Sequence, residues 1–114
     1  MDIASEHHEN CLVVTVKEQR IDAAVAVEFK DSMRQLLEGS SERVVLDLAE
    51  VDSIDSSGLG AIVAVMKQLG ADRKLELASL SDKVRTVFRL TRMDAVMTIH
   101  EAKDDALSAL ANQE

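Results

Sequence analysis

The sequence predicts a small α/β protein, with a mixed, mostly parallel sheet of four to five strands packed with about four helices. Segments typical of strands and helices alternate along the chain in the order β-β-α-β-α-β-α-β-α. The near-continuous apolar run at 44–46 is typical of a strand covered on both faces. A strand, a helix and a strand in succession favour a right-handed parallel crossover.

The first half of the chain contains three predicted strands and one helix. Residues 2–6 are a strand candidate and are followed by a polar turn at 6–10. Residues 11–17 are rich in β-branched side chains, which favours a strand. Asp22 is a suitable N-cap for the helix that follows, whose apolar side chains recur on one face. The third strand is predicted at 43–48.

The second half continues the alternation after an acidic loop at 49–55. Glycine and the capping residues Ser and Asp mark the ends of its helices. The predicted elements are a helix over 57–69 closed by Gly70, a strand over 74–78, a helix starting at Ser81 and Asp82, a strand over 95–100 and a last helix starting near Glu101.

Length, composition and charge narrow the class of protein. The 114 residues suit one domain, and no repeat, low-complexity segment or linker divides them, so we assign 1–114 to a single domain. The net charge of −8 argues against non-specific nucleic-acid binding and against binding to an anionic membrane surface. No apolar run approaches the roughly 18 residues of a spanning helix, and no signal peptide is recognisable, which favours the cytoplasm.

Sites in open α/β sheets form in the loops that leave the carboxyl ends of parallel strands. Here those loops are 18–22, 49–57 and 79–82. The first two follow strands that a crossover joins, so they belong to the same edge of the sheet. We call this edge the rim and expect it to bring together Asp22, Asp52, Asp55, Ser56 and Ser57.

The segment 55–60 combines two serines with two glycines at a predicted helix start. Glycine there costs about 1 kcal/mol relative to alanine, so Gly58 and Gly60 suggest that another backbone or surface approaches Ser56 and Ser57 closely. A helix N-terminus tolerates a phosphate, so either serine could be phosphorylated without breaking the helix. The added charge of about −1.5 to −2 would change how the rim meets a partner. The alternative is that Asp55 or Ser56 is an ordinary N-cap.

Enzyme and metal hypotheses have weaker support. The sequence has no Gly-x-Ser-x-Gly elbow, and no histidine is placed to activate Ser56. The segment 58–60 lacks the preceding glycine and the Lys-Ser/Thr of a P-loop. The loop carboxylates, and His7 with His8, allow a metal hypothesis, but solvated loop side chains are the commoner case. We predict no enzymatic activity, no metal and no cofactor.

The predicted helix after Ser81 has a basic face, which stands out in an acidic protein. Two interpretations are open, a solvated surface or a contact with an acidic partner. The face consists of Lys83, Arg85, Arg89 and, just beyond the helix, Arg92.

The strand 44–48 (Val-Val-Leu-Asp-Leu) and the segment 55–60 (Asp-Ser-Ser-Gly-Leu-Gly), separated by six residues, resemble a STAS domain of the anti-sigma factor antagonist class. The resemblance covers nearly the whole chain, since length and element order also match. In that family the serine directly after the aspartate is phosphorylated, which implies Ser56, with Ser57 as the second hydroxyl. The upstream Gly-x-Leu/Ile-Asp of the family matches at 21–22, whose aspartate borders the phosphorylation surface.

The resemblance implies a regulator that works by partner switching. Unphosphorylated, it binds an anti-sigma factor that is also a serine kinase; phosphorylated on Ser56, it releases that partner, and a serine phosphatase resets it. The ATP and metal belong to the kinase. Two alternatives are a non-switching STAS subunit of a larger complex, such as a transporter, and a module that binds a small ligand. The implied partner contacts are Asp22, Asp55, Ser57, Gly58, Leu59 and Gly60.

Two positions depart from the family pattern. Gln19 stands where the family often has glycine, and the segment 91–93 (Thr-Arg-Met) replaces a commoner Ser/Thr-Gly-Leu. Neither position belongs to the phosphorylation motif. We therefore expect them to affect the surface offered to partners more than the switch.

Overall fold

The structure, a computed structural model, describes residues 1–8, 11–39 and 42–111. Its strands are β1 (Ile3–His8), β2 (Cys11–Val16), β3 (Arg20–Ile21), β4 (Arg43–Asp47), β5 (Ser53–Ile54), β6 (Leu75–Ala78) and β7 (Thr98–His100). Its helices are α1 (Ala23–Leu37), α2 (Ser56–Leu69), α3 (Asp82–Leu90) and α4 (Lys103–Ala111), with a 3-10 turn at Met93–Ala95.

Five strands form the main sheet in the order β1-β2-β4-β6-β7, and β3 pairs with β5 in a separate two-stranded sheet. Only β1 is antiparallel to its neighbour in the main sheet. The parallel strands therefore end at one common edge, as the crossover rule predicts. The predicted mixed, mostly parallel sheet packed with about four helices is confirmed.

Helices cover both faces of the main sheet. On one face α1, α2 and α3 enclose the main core, where Phe29 and Phe88 are fully buried. On the other face α4 packs on a smaller cluster around Val45. Val44 and Leu46 belong to the main core, so alternate residues of β4 point to opposite faces. This double coverage explains the apolar run in the sequence.

Two predicted segments differ from the structure. The turn expected at 6–10 is wrong over 6–8, because β1 pairs with β2 through His8, opposite Cys11. An edge strand such as β1 can contain these polar side chains because one face of the strand stays solvated. Residues 9 and 10 lie outside the described part. The strand expected from Ala95 begins only at Thr98, since the 3-10 turn precedes it.

An ionic cluster around the buried Glu76 lies on the sheet face that α4 covers. Glu76 on β6 accepts a hydrogen bond from Arg43 Nε at 2.6 Å and a second from the Nη2 of the same guanidinium. His100 Nε2 lies 2.8 Å from Glu76 Oε1. Burial alone would raise the pKa of Glu76, but the hydrogen bonds from Arg43 and His100 outweigh burial and lower the pKa below 4.5.

The Glu76→Gln variant should lose about 2 kcal/mol of unfolding free energy at pH 7, because the partly buried Arg43 would be left beside a neutral amide. Because the folded-state pKa is lowered, ionised Glu76 stabilises the fold above about pH 4.5, and this contribution is lost as the pH falls through the folded-state value. Urea unfolding at pH 7 and pH 3 should therefore show a smaller acid loss for the variant than for the wild type.

The matched control is Asp31→Asn, which removes an exposed carboxylate that pairs with the exposed Arg34 at 3.2 Å. Its effect should stay below about 0.5 kcal/mol. A Glu76→Gln protein as stable as the wild type at pH 7 would contradict a stabilising role of the cluster.

Candidate functional site

The rim is held together by the short pairing of β3 with β5. Arg20 lies opposite Ser53 and Ile21 opposite Ile54, with the two strands parallel. The Asp55 N–H also donates to the Ile21 carbonyl at 3.3 Å. Because α1 and α2 begin directly after these strands, their N-termini lie side by side. The predicted placement of the two helix starts on one edge is confirmed.

An aspartate caps each of these helices. The Asp22 carboxylate accepts the N–H of Ala24 at 3.0 Å at the start of α1. The Asp55 carboxylate accepts the N–H of Gly58 at 2.9 Å at the start of α2. Of the two N-caps that the sequence leaves open, Asp55 is therefore the cap, and Ser56 is not.

The two serines at the start of α2 are exposed. In the described part of the chain neither hydroxyl makes a hydrogen bond, and neither backbone N–H has a partner in the protein. Ser56 is the first residue of α2 and Ser57 the second. Both hydroxyls are thus accessible to another protein, and free N–H groups lie next to them.

Gly58, which the family resemblance implies as a partner contact, is buried. A Cβ built on Gly58 would lie 1.9 Å from the Ile21 carbonyl oxygen and 2.9 Å from Ile54 Cγ1. The close approach that the glycine permits is therefore made inside the protein, between α2 and β3. Gly58 fixes the rim and does not itself form its surface.

The remaining predicted contact residues divide into surface and support. Asp55, Ser57 and Gly60 are exposed, and Asp22 is half-buried. Leu59 is half-buried and packs against the main core. Among the predicted contact residues, those that reach the surface around Ser56 are thus two carboxylates, one further hydroxyl and one glycine.

Gly60→Ala should raise the free energy of unfolding by about 0.5–1 kcal/mol, because glycine inside a helix costs that much relative to alanine. No atom lies within 4 Å of a Cβ built at this position, so alanine meets no clash. Thermal or urea unfolding measures the change. A destabilised Gly60→Ala protein would show that the surface of α2 is more crowded than the structure indicates.

The sequence interpretation missed the β3–β5 pairing. A signal for it is present: the same dipeptide, Ile-Asp, occurs at 21–22 and at 54–55, directly before each helix. In both copies the isoleucine lies in the short strand and the aspartate caps the helix. The repeated dipeptide thus marks the two chain segments that pair with each other, β3 and β5.

Metal ligation has no support in the geometry. Among residues 1–8, 11–39 and 42–111, no three or more His, Cys, Asp or Glu side chains are grouped so that they could hold a metal ion. His7 and His8 lie on β1, the first 3.1 Å from Glu42 and the second 3.3 Å from Glu6. In the same ranges, none of the helices combines the length and the apolar character needed to cross a membrane.

The STAS domain family model matches residues 2–106, and the chain belongs to this family. The anti-sigma-B factor antagonist of Staphylococcus aureus is 24% identical over 85 residues, which cover 74% of this chain and 79% of that protein. The resemblance to anti-sigma factor antagonists that 44–48 and 55–60 predict is confirmed.

Solved structures agree with the fold. An anti-sigma-factor antagonist (STAS) domain protein from Planctomyces limnophilus superposes with a TM-score of 0.89 at 24% identity, over 98% of this chain and all of that one. The murine anion transporter Solute Carrier 26 family member A9 contains a similar fold, with a TM-score of 0.73 at 16% identity, over 94% of this chain and 19% of the transporter. The fold is therefore shared by regulators and by parts of transporters.

Proposed function

We propose that this protein is a cytoplasmic anti-sigma factor antagonist that works by partner switching. In its unphosphorylated form it binds an anti-sigma factor that is also a serine kinase, and phosphorylation of Ser56 releases that partner. A serine phosphatase restores the binding form. The protein itself catalyses nothing and needs no cofactor, because ATP and metal are bound by the kinase.

One observation carries this proposal: Ser56 is exposed at the start of α2 while Asp55 performs the capping. A capping serine would already accept a hydrogen bond from its own helix, and phosphorylation would disturb that bond. Here the hydroxyl is accessible, and its modification leaves the cap in place.

The electrostatics of the rim support a switch. A phosphoryl group on Ser56 would lie near free helix N–H groups, which tolerate an anion. It would also add a charge of about −1.5 to −2 next to Asp55 and close to Asp22. The surface that meets the partner therefore becomes strongly anionic while the fold remains intact.

The competing function is a fixed STAS subunit of a transport complex, which the similar fold in the anion transporter supports. In such a subunit the hydroxyl of Ser56, which is exposed and does not cap α2, would be an ordinary surface group. In that case modification of Ser56 would leave every protein contact unchanged, whereas the switch requires a large change.

The test begins with affinity capture using Ser56→Ala and Ser56→Asp proteins as baits, followed by mass spectrometry. We expect Ser56→Ala to capture a kinase-like regulator and Ser56→Asp to lose it. The captured kinase, incubated with ATP and the wild-type protein, should then place a phosphate on the peptide containing Ser56.

Ser57→Ala is the matched control and should still accept one phosphate, since the neighbouring hydroxyl remains. Phosphate found only on Ser57 would refute the assignment of the site. Equal capture by both baits would favour the fixed subunit.

A further inference from the structure

The segment 89–96, from the end of α3 through the 3-10 turn, exposes apolar side chains beside cations. Leu90 is 74% exposed and Val96 is 43% exposed. Only one other large hydrophobic residue in the described part of the chain, Val27, is classed as exposed. We call the four exposed residues Arg89, Leu90, Arg92 and Val96 of this segment the α3-end patch.

The cations of the patch are unpaired. Arg89 and Arg92 are exposed, and within residues 1–8, 11–39 and 42–111 neither forms an ion pair. Arg85, one turn earlier, pairs with Glu101 at 3.4 Å, and Asp94 is the one acid inside the segment. The patch is therefore locally cationic on a protein whose net charge is −8.

The backbone of Arg92 is in the left-handed region, with φ of 64° and ψ of 16°. It follows the C-cap of α3, where proteins usually place glycine because a Cβ disfavours this conformation. Its side chain makes no capping hydrogen bond that would compensate. No contact within the described protein explains an arginine at this position, and backbone strain of this kind is an observation that motivates a functional hypothesis.

The patch is remote from Ser56. α3 starts after β6, at the edge of the sheet where the rim lies, and runs back across the sheet before β7 begins beside β6. The 3-10 turn therefore lies at the opposite edge of the sheet. The patch thus lies at the end of α3 that is farther from the rim.

We propose that the α3-end patch is a second docking surface, which binds an acidic segment of a partner protein with apolar side chains on one face. Leu90 and Val96 would be covered by its apolar face, and Arg89 and Arg92 would pair with its carboxylates. Because the patch and the rim lie at opposite edges, this binding is independent of Ser56 phosphorylation. It goes beyond the proposed switch and does not require it.

The probe is a synthetic amphipathic helical peptide of glutamate and leucine, titrated into the isotope-labelled full chain and followed by NMR. We expect the acidic peptide to change chemical shifts only at residues 89–96. A peptide with lysine in place of glutamate should change no chemical shifts. Arg89→Glu and Leu90→Ser should each weaken binding about tenfold. Val27→Ser, at the other exposed apolar residue, and Ser56→Asp should leave binding unchanged.

Arg92→Gly provides a second measurement. Relief of the left-handed backbone strain should raise Tm by about 4 °C. Loss of the guanidinium should weaken peptide binding. A higher Tm without weaker binding would overturn the role of Arg92.

Three further results would overturn the proposal. These are shifts that centre on the rim, equal binding of the acidic and basic peptides, and binding that survives both Arg89→Glu and Leu90→Ser. Co-sedimentation with phosphatidylserine vesicles that Arg89→Glu abolishes would identify a membrane surface instead of a protein partner.

Discussion

Gly58→Ala is expected to lower the free energy of unfolding by about 3 kcal/mol, at the upper end of the range for overpacking. The added methyl would lie 1.9 Å from the Ile21 carbonyl oxygen, which belongs to the backbone and cannot rotate away. Relief requires α2 to move away from β3. That movement would also separate the paired starts of α1 and α2, so the rim should lose its geometry together with its stability.

Urea unfolding of Gly58→Ala and Gly60→Ala, two substitutions of the same kind two residues apart, separates packing from helix propensity. Propensity alone would stabilise both variants by about 1 kcal/mol. The structure predicts opposite signs, since only position 58 meets another chain segment. If both variants are stabilised, the contact between Gly58 and Ile21 is not as close as the structure shows.

Local stability, measured by amide hydrogen exchange, gives a finer readout of Gly58→Ala. Amide hydrogen exchange should increase over β3, β5 and the first turn of α2, because these are the parts that Gly58 holds together. Exchange in β4 and β6 should change only as much as global stability does. Uniform acceleration throughout would mean that the glycine supports the whole fold and not specifically the rim.

The main elements could be predicted because their signals are local. Each of α1, α2 and α3 begins directly after a capping side chain, Asp22, Asp55 and Ser81, and all three make capping hydrogen bonds. The central strand β4 is covered on both faces, which leaves an apolar run in the sequence. Such patterns depend on residues close in the sequence, so they can be recognised without knowledge of the tertiary structure.

The parts that the sequence did not predict depend on distant contacts. β3 and β5 have two residues each, too few to show any periodicity. The need for glycine at position 58 is visible in the sequence, but its cause, the Ile21 carbonyl, is not. Glu76 has the alternating pattern of a half-exposed strand, yet it is buried because β6 is an inner strand and α4 covers its second face.

Charge at Ser56 is expected to weaken binding of the captured kinase-like partner about 100-fold, while Ser56→Ala keeps wild-type affinity. Such a loss corresponds to about 2.7 kcal/mol. It arises because the anion must be desolvated in the interface, next to the carboxylate of Asp55 and close to that of Asp22. The fold should be unaffected, since Asp55 remains the cap and an anion in the first helical turn is compatible with the dipole.

Titration calorimetry with the captured partner measures this loss for enzymatically phosphorylated protein, for Ser56→Asp and for the matched variant Ser57→Asp. The phosphorylated protein should show the full effect and Ser56→Asp a smaller one, because a carboxylate has less charge and fewer oxygens than a phosphate. Ser57→Asp places the same charge one residue further along α2. It tests whether the loss of affinity depends on the position of the charge or only on its presence. Undiminished affinity of the phosphorylated protein, with unchanged Tm, would exclude Ser56 as the switch; equal losses for Ser56→Asp and Ser57→Asp would instead assign the effect to the overall charge of the rim.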